Sequence, residues 1–421
     1  MNKEKHKVLI LGIGQSNFLN QLYSQLLVET GKYNFYINDY FDLSKGKVGK
    51  ENKIYSDFFN FRRIKISKRN LYYHFIQFSF DRFFWKILFF EISQRKSLKD
   101  IKNILGEMAQ ARFRVKKLIE PLHPEIVHFH FCIPQNIREL YFLSPEIKCI
   151  CSFWGSDLLR MTGVSNVFYL QNALERTSKI TIQSPELGET LLTKYGRGLQ
   201  NKLEYIRFPL EPKIFDEIDA NRNDYKKLRD FKIKYTIPLD KKIIAVGHNA
   251  FRENNHLKII GIIEKLPSKY LEDVVVLLHL SYGGNESYKN QLKNLSCQTN
   301  IKIVVVEEYL DKSEIALLRL ITDILIQMPI SDALSAAVTE VLYAKGMVVS
   351  GSWLPYGFFQ RNNIKLFEVE SFNNLKIKLE ELLDNDVKYL VENNPLEIRK
   401  TFLSGMEVKQ WLNLLNSLIS Q

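Results

Sequence analysis

One stretch constrains this chain more than any other. Between Ile321 and Tyr356 an apolar run is followed by a loop, a helical pattern, a glycine and a second apolar run. The run Ile321 to Met328 predicts a strand. Pro329 and Ser331-Asp332 predict a loop and a helix start. From Ala333 to Ala344 the pattern predicts a helix, with Gly346 as its C-cap, and Met347-Val348-Val349 restarts a strand. The loop of this β-loop-α-β unit sits at the carboxyl end of a strand, where parallel sheets bind ligands. Seven residues separate Asp332 from Glu340. One carboxylate lies at the helix mouth and the other about two turns along, on nearly the same face. Between them the amides of Leu334, Ser335 and Ala336 form a helix N-terminus suited to an anion. Taken alone, the pair also fits a capped helix with one buried Glu.

The rest of the chain reads as two wound halves. Val8 to Ile13 predicts a buried parallel strand, Gly12-x-Gly14 ends it, and Phe18 to Val28 predicts a helix. A dinucleotide fingerprint needs glycine where Asn17 stands, which disfavours a nicotinamide cofactor. Further strands are predicted at Tyr33 to Tyr40, Pro124 to Phe131, Lys148 to Phe153, Lys179 to Ser184 and Leu203 to Phe208. The second of these carries His128 and His130, expected to point outward. Glu211 to Pro238 is charged and lacks a strand pattern, so it reads as a linker. Lys242 to Val246 opens a second wound domain, continued by Val274 to Leu280 and Ile301 to Val306. A helix is predicted at the C-terminal end, from Pro395 to Ser420.

A length of 421 residues suggests two or three domains. No apolar run reaches the roughly eighteen residues of a membrane span. The four cysteines show no paired metal spacing, which fits a reducing cytoplasm. The formal net charge of +12 points to an anionic partner. Phe61 to Lys96 concentrates basic and aromatic residues: Arg62, Arg63, Lys65, Lys68 and Arg69, then ten rings from Tyr72 to Phe90. Three readings fit. The rings fill a helical core; or cations and rings meet an anionic membrane surface; or the segment holds single-stranded nucleic acid. The second is adopted for 61–96, and no nucleic acid is expected.

The Asp332-x7-Glu340 unit followed by Gly-x-Val-Val resembles the E-x7-E motif of retaining, family-4-like glycosyltransferases of the GT-B fold, with Asp in place of the first Glu. The strand Pro124-Glu125-Ile126-Val127-His128-Phe129-His130 resembles the P-D-I-V-H-x-H strand of their first domain. Trp154-Gly155-Ser156-Asp157 resembles the H-G-x-D loop, with Trp154 where His is usual. Gly247-His248-Asn249-Ala250-Phe251-Arg252-Glu253-Asn254-Asn255-His256 and Leu280-Ser281-Tyr282-Gly283-Gly284 resemble loops of the 4-acetamido-4,6-dideoxygalactose (N-acetylfucosamine) transferases of enterobacterial common antigen.

The resemblance implies an α/β chain of two doubly wound, Rossmann-like domains facing a cleft, with a C-terminal helix crossing back. The expected divisions are 1–210, a linker at 211–238, a nucleotide-sugar domain at 239–394 and the crossover helix at 395–421. It implies a metal-independent hexosyltransferase, moving a sugar from a nucleotide-diphosphate donor to a hydroxyl of a glycan or lipid-linked acceptor. Polysaccharide, lipopolysaccharide or glycolipid synthesis is the setting, in the cytoplasm and peripheral on the inner face of the cell membrane. No cofactor is implied, the nucleotide-sugar being a substrate. Carried over, the catalytic residues are Asp157, Arg252, His256 and Asp332, with capping of the following helix an equal explanation of Asp157. The donor is held by Gly247, Asn249, Arg252, His256, Tyr282, Asp332, Leu334, Ser335, Ala336 and Glu340. By their lack of a side chain Gly283 and Gly284 let backbone approach a ligand or serve a plain turn. Gly14, His128, His130 and Trp154 lie on the acceptor side, a tight strand-helix turn being the other reading of Gly14. The alternatives are a sugar-nucleotide epimerase of the same fold and a non-catalytic membrane-binding module.

Overall fold

The computed structural model describes residues 5–14, 16–38, 54–60, 64–385 and 387–420. Arg62 and Arg63 lie outside them. The chain divides into two units, Met1–Phe208 with Glu407–Gln421, and Pro209–Met406.

In the first unit seven parallel strands are ordered β3-β2-β1-β4-β5-β6-β7. They are β1 His6–Leu11, β2 Tyr33–Asn38, β3 Asp57–Phe59, β4 Ile126–His130, β5 Lys148–Ser152, β6 Lys179–Ile182 and β7 Leu203–Tyr205. Among the described residues its first six α-helices are α1 Asn17–Glu29, α2 Lys68–Ser79, α3 Arg82–Ser93, α4 Leu98–Arg114, α5 Ser156–Leu159 and α6 Val164–Leu174. The helix Met406–Ile419 returns to this unit. Its Val408, Trp411, Leu414, Leu415 and Leu418 join the β1–β2 core, and Trp411 Nε1 donates to Arg207 O at 2.9 Å. The predicted crossover helix is therefore two helices. Asn394–Phe402 packs in the second unit through Ile398 and Phe402, and Gly405 at φ 71° separates it from Met406–Ile419.

In the second unit six parallel strands are ordered β10-β9-β8-β11-β12-β13. They are β8 Lys242–Val246, β9 Val274–His279, β10 Ile303–Val306, β11 Ile324–Gln327, β12 Met347–Gly351 and β13 Phe367–Val369. Covered on both faces, β9 is buried at every position, which is why it reads as an unbroken apolar run. The segment 211–238 is not a linker. It forms two helices, Pro212–Asn221 and Tyr225–Lys234, each started by an acidic cap, Glu211 and Asp224. Ile214, Phe215 and Ile218 lie on one face and pack against Val338, Val341, Leu342 and Tyr343, while Phe231 and Ile237 cover the β8–β9 side. Their remaining faces are charged, which hid the short apolar stripes.

The aromatic segment splits by helix face. Phe78, Phe84 and Ile87 are buried, Phe83 stacks on Tyr141 at 4.3 Å and Phe90 on Phe168 at 3.8 Å. Tyr72, Tyr73, Phe80, Trp85, Phe89 and Ile92 stay exposed. The core reading and the surface reading each own one side. No helix among the described residues is long and apolar enough to cross a membrane.

Candidate functional site

The strand order of the second sheet reverses between β8 and β11, and ligands of such sheets bind outside the carboxyl ends at that point. The loops that leave these two strands are stitched together. Gly247 N donates to Ile326 O at 3.0 Å, Ile330 N to Glu253 O at 2.9 Å and Asn255 Nδ2 to Met328 O at 2.8 Å. Asn249 is buried and internally committed: its Oδ1 accepts from Phe251 N at 3.0 Å and from Asn254 Nδ2 at 2.7 Å. Gly284 sits at φ 64°, and a Cβ there would lie 2.2 Å from Ala250 O. The close approach that the Gly283-Gly284 pair permits is thus to the neighbouring loop, not to a ligand. Tyr282, next to it, is half-exposed, and its O accepts from Ala250 N at 2.9 Å.

Asp332 and Glu340 are each held by a dedicated partner set. Asp332 Oδ2 accepts from Gln327 Nε2 at 3.0 Å and from the Tyr356 hydroxyl. Gln327 Oε1 in turn meets His248 Nδ1 at 3.2 Å. Glu340 is buried in the helix Ala336–Tyr343, and its Oε2 accepts from the buried Arg319 Nε at 2.8 Å. The helix begins at Ala336, three residues later than the periodicity predicts, because Leu334 is left-handed at φ 55°. Such a conformation costs on the order of 1–3 kcal/mol in a non-glycine residue and is concentrated at functional sites. Ser335 caps the helix without a side-chain bond. Val338 N and Thr339 N both reach Ser335 O, so helix geometry leaves the Ala336 and Ala337 amides at the mouth without intrahelical acceptors.

The expected cations divide. Arg252 is exposed, its guanidinium 4.8 Å over the Tyr288 ring. His256 is fully buried at the start of the helix His256–Ile263, with Nδ1 3.2 Å from the Tyr288 hydroxyl. Burial pushes its pKa down to about 4, so at neutral pH it is uncharged and cannot serve as the expected cation. Two further histidines lie nearby, His248 acting on the carboxylates and His279 on Arg319. Burial lowers His248 while Asp332 pulls it back up. Burial, with Arg319 adding, holds His279 at about 3, and its Nε2 meets Ser281 Oγ at 2.8 Å. Among the described residues no group of three His, Cys, Asp or Glu is placed to hold a metal ion.

In the first unit the order reverses between β1 and β4. Gly12 sits there at φ 121°, and a Cβ would lie 1.9 Å from His130 O. Gly14, at φ 77°, follows in the same loop. His128 and His130 do not point outward; they are 1% and 0% exposed. Both face Tyr23 of α1, whose hydroxyl lies 2.9 Å from His128 Nδ1 and 2.8 Å from His130 Nε2. His128 Nε2 continues to Ser152 Oγ at 2.6 Å, and Ser152 to Thr181 Oγ1 at 2.6 Å. Burial holds His128 near 3 and His130 well below its ordinary value, so the pair is neutral and ties α1 to three strands. Trp154 closes the chain, Nε1 3.4 Å from His130 Nδ1 and its ring 5.1 Å from Phe208.

Asp157 is wholly buried as well. Its Oδ2 accepts from Cys132 N at 2.7 Å, and its Oδ1 from Trp154 N at 2.8 Å and Gly155 N at 2.9 Å. Both oxygens are spent on the backbone that follows β4 and β5. Asp157 is a clasp between two loops rather than a base facing a substrate. Burial raises its pKa from 3.8 to about 6, and the amide bonds only partly oppose that rise.

Residues 86–184 match the family model described as glycosyl transferase 4-like, well under half of the chain. No curated protein matches the sequence. Among solved structures, a glycosyltransferase from Rickettsia africae ESF-5 aligns over 99% of this chain and 99% of its own, with a TM-score of 0.70 and 16% identity. The sucrose-phosphate synthase of Thermosynechococcus elongatus aligns over 99% and 100%, at 0.68 and 10%. A UDP-forming α,α-trehalose-phosphate synthase from Burkholderia xenovorans, in complex with glucose-6-phosphate, aligns over 98% and 99%, at 0.64 and 13%. The fold is GT-B. The chain is glycosyltransferase-like, and the comparisons support a transferase.

Within this GT-B chain the second unit brings Asp332, Glu340 and the Ser335–Ala337 helix start to one sheet edge, with Arg252 on the adjacent loop. Sequence reading missed Gln327, Arg319, Tyr356, His248 and His279. A glutamine ending the buried run of β11 was a legible signal, since a buried amide demands partners. Nothing in the sequence spacing marks Arg319 as the partner of Glu340.

Proposed function

We propose that this protein transfers a sugar from a nucleotide-diphosphate donor, bound at the carboxyl edge of the second sheet, to an acceptor hydroxyl. The observation that carries the reading is the Asp332–Glu340 pair, each carboxylate fixed by its own partners on either side of an open helix start. In this reading Glu340 accepts ribose hydroxyls. The Ala336 and Ala337 amides and Arg252 take the diphosphate, whose charge grows as the sugar leaves. Asp332, oriented by Gln327 and Tyr356, faces the sugar. Retention of anomeric configuration follows the motif likeness, and an N-acetylfucosamine nucleotide as donor rests on the loop likeness alone. His248 beside the two carboxylates favours one second reading, a sugar-nucleotide epimerase of the same fold. Incubation with donor alone separates the two, because epimerisation needs no acceptor.

The test is calorimetry with UDP, GDP, dTDP and their sugars. Glu340→Gln is expected to weaken the nucleotide that binds wild type by about 1–3 kcal/mol, the loss of a charged acceptor of hydroxyl bonds. Unchanged affinity in a folded variant removes Glu340 from the site.

The acceptor is proposed to be lipid-linked, in surface polysaccharide or glycolipid synthesis, with the protein peripheral on the cytoplasmic face of the membrane. The support is the exposure of Tyr72 and Tyr73 on α2 and of Trp85 and Phe89 on α3, together with exposed Lys65, Lys68 and Arg69 at and just before the start of α2. Each cation near an anionic surface is worth about 1 kcal/mol and is screened by salt. Wild type should float with anionic liposomes at low salt. A variant with Arg62, Arg63, Lys65, Lys68 and Arg69 changed to Ser should not. Equal flotation of the two would sink the electrostatic attachment.

A further inference from the structure

A cavity of about 190 Å³ lies within the first unit, where the end of α3 meets α4, the turn Arg138–Phe142 and α6. Neither the donor site nor the buried histidine chain uses it. Its free surface is mainly apolar, although Gln135, Ser165, Asn166 and Tyr169 also line it. Ile104 and Met108 present one face of α4, four residues apart, and Pro134 from the loop after β4 adds to it. Its polar groups include two cations. Lys96 is anchored by Glu91, a fully buried carboxylate whose Oε2 lies 2.9 Å from Lys96 Nζ and whose Oε1 accepts from the Tyr169 hydroxyl at 2.5 Å. Arg138 pairs with Glu107 at 2.6 Å. An ammonium carries three donors and a guanidinium five, so each cation keeps N–H groups beyond its ion pair.

We propose that this cavity binds a single-chain lipid phosphate, with a short hydrocarbon segment inside and the phosphate on Lys96 and Arg138. An apolar space with cations at its edge suits a molecule that is greasy at one end and anionic at the other. The volume is comparable to an engineered apolar cavity of about 150 Å³ that holds one benzene ring. That admits one branched hydrocarbon segment and not the paired chains of a bilayer phospholipid. Trp85, Phe89 and Ile92 are exposed on one face of α3, the helix that precedes Lys96 in the chain. As the acceptor's anchoring subsite the cavity rests on the transferase reading; as a binding site it does not.

The experiment is titration calorimetry of the full chain with farnesyl phosphate below its micellar range. Farnesol, inorganic phosphate and dihexanoylphosphatidylglycerol serve as comparison probes. Farnesyl phosphate is expected to bind at least tenfold more tightly than any of the three. Ile104→Trp, a partly exposed position, fills the cavity and should weaken farnesyl phosphate at least tenfold. Arg138→Gln leaves only the half-exposed Glu107 unpaired; it should weaken farnesyl phosphate and leave farnesol unchanged. Lys96 is not varied, because its loss would strand buried Glu91. Equal binding by Ile104→Trp, equal binding of the two-chain lipid, or no saturable binding to wild type overturns the proposal. If Ile104→Trp does not fold, Arg138→Gln and the probe series decide alone. Nucleotide titration on the same samples reads the second unit. Lipid phosphate binding without nucleotide binding therefore refutes the transferase reading and keeps the cavity, and the reverse result does the opposite.

Discussion

Asp157→Ala is expected to destabilise the first unit by roughly 3–5 kcal/mol, since each buried donor left without an acceptor costs about 1–3 kcal/mol. Three amides lose their acceptor together, those of Cys132, Trp154 and Gly155. Urea unfolding measures the loss. Asp157→Asn should fall between, because its carbonyl oxygen can still serve Trp154 and Gly155 while its amide group meets the Cys132 N–H head-on. A pH signature accompanies this. The carboxyl titrates near 6 in the fold against 3.8 ordinarily, so the folded state holds its proton more tightly than the unfolded chain. Its contribution is fully present below about pH 3.8 and is lost as pH rises through about 6. Wild-type stability should therefore carry a downward component across that window, and Asp157→Asn should lack it. A catalytic base would behave otherwise, with Asp157→Asn folding like wild type and losing only turnover.

Arg319→Ala should cost a further class of stability, about 3–5 kcal/mol in the second unit, because it strands the buried Glu340 carboxylate. The pair lies 2.8 Å apart with side chains 9% and 7% exposed, too dry for water to replace the guanidinium. Replacing both, as Arg319→Met with Glu340→Met, should return most of that stability, since burying two apolar side chains carries no charge to desolvate. It should not return nucleotide affinity, because in the proposed site Arg319 acts through the orientation of Glu340. Thermal melts and calorimetry on the three proteins check both halves. Full nucleotide affinity in the double variant would reduce the pair to a structural role.

The sequence by itself determined much of the frame. Apolar runs too continuous for a sheet wetted on one face, alternating with helical patterns, require parallel strands covered on both sides, and two such series give two wound sheets. The Asp332–Glu340 unit was legible for the same reason: strand, loop, helix and glycine follow one another locally, and spacing along a helix sets which side chains share a face. The tertiary structure decided everything that depends on a partner far along the chain. Arg319 reaches Glu340 across 21 residues, and Asp157 takes the Cys132 amide across 25. His128 and His130 read as an outward pair, yet α1 covers that face of β4 and supplies Tyr23. The helices at 211–238 read as a linker because only a few of their residues are apolar, and which surface those residues meet is not a local property. The rings of 61–96 were divided between core and surface by the rotation of α2 and α3 against α4 and α6. Local spacing fixes helix faces and strand runs; burial and charge pairing depend on what packs against them, and that is set by contacts no short window of sequence contains.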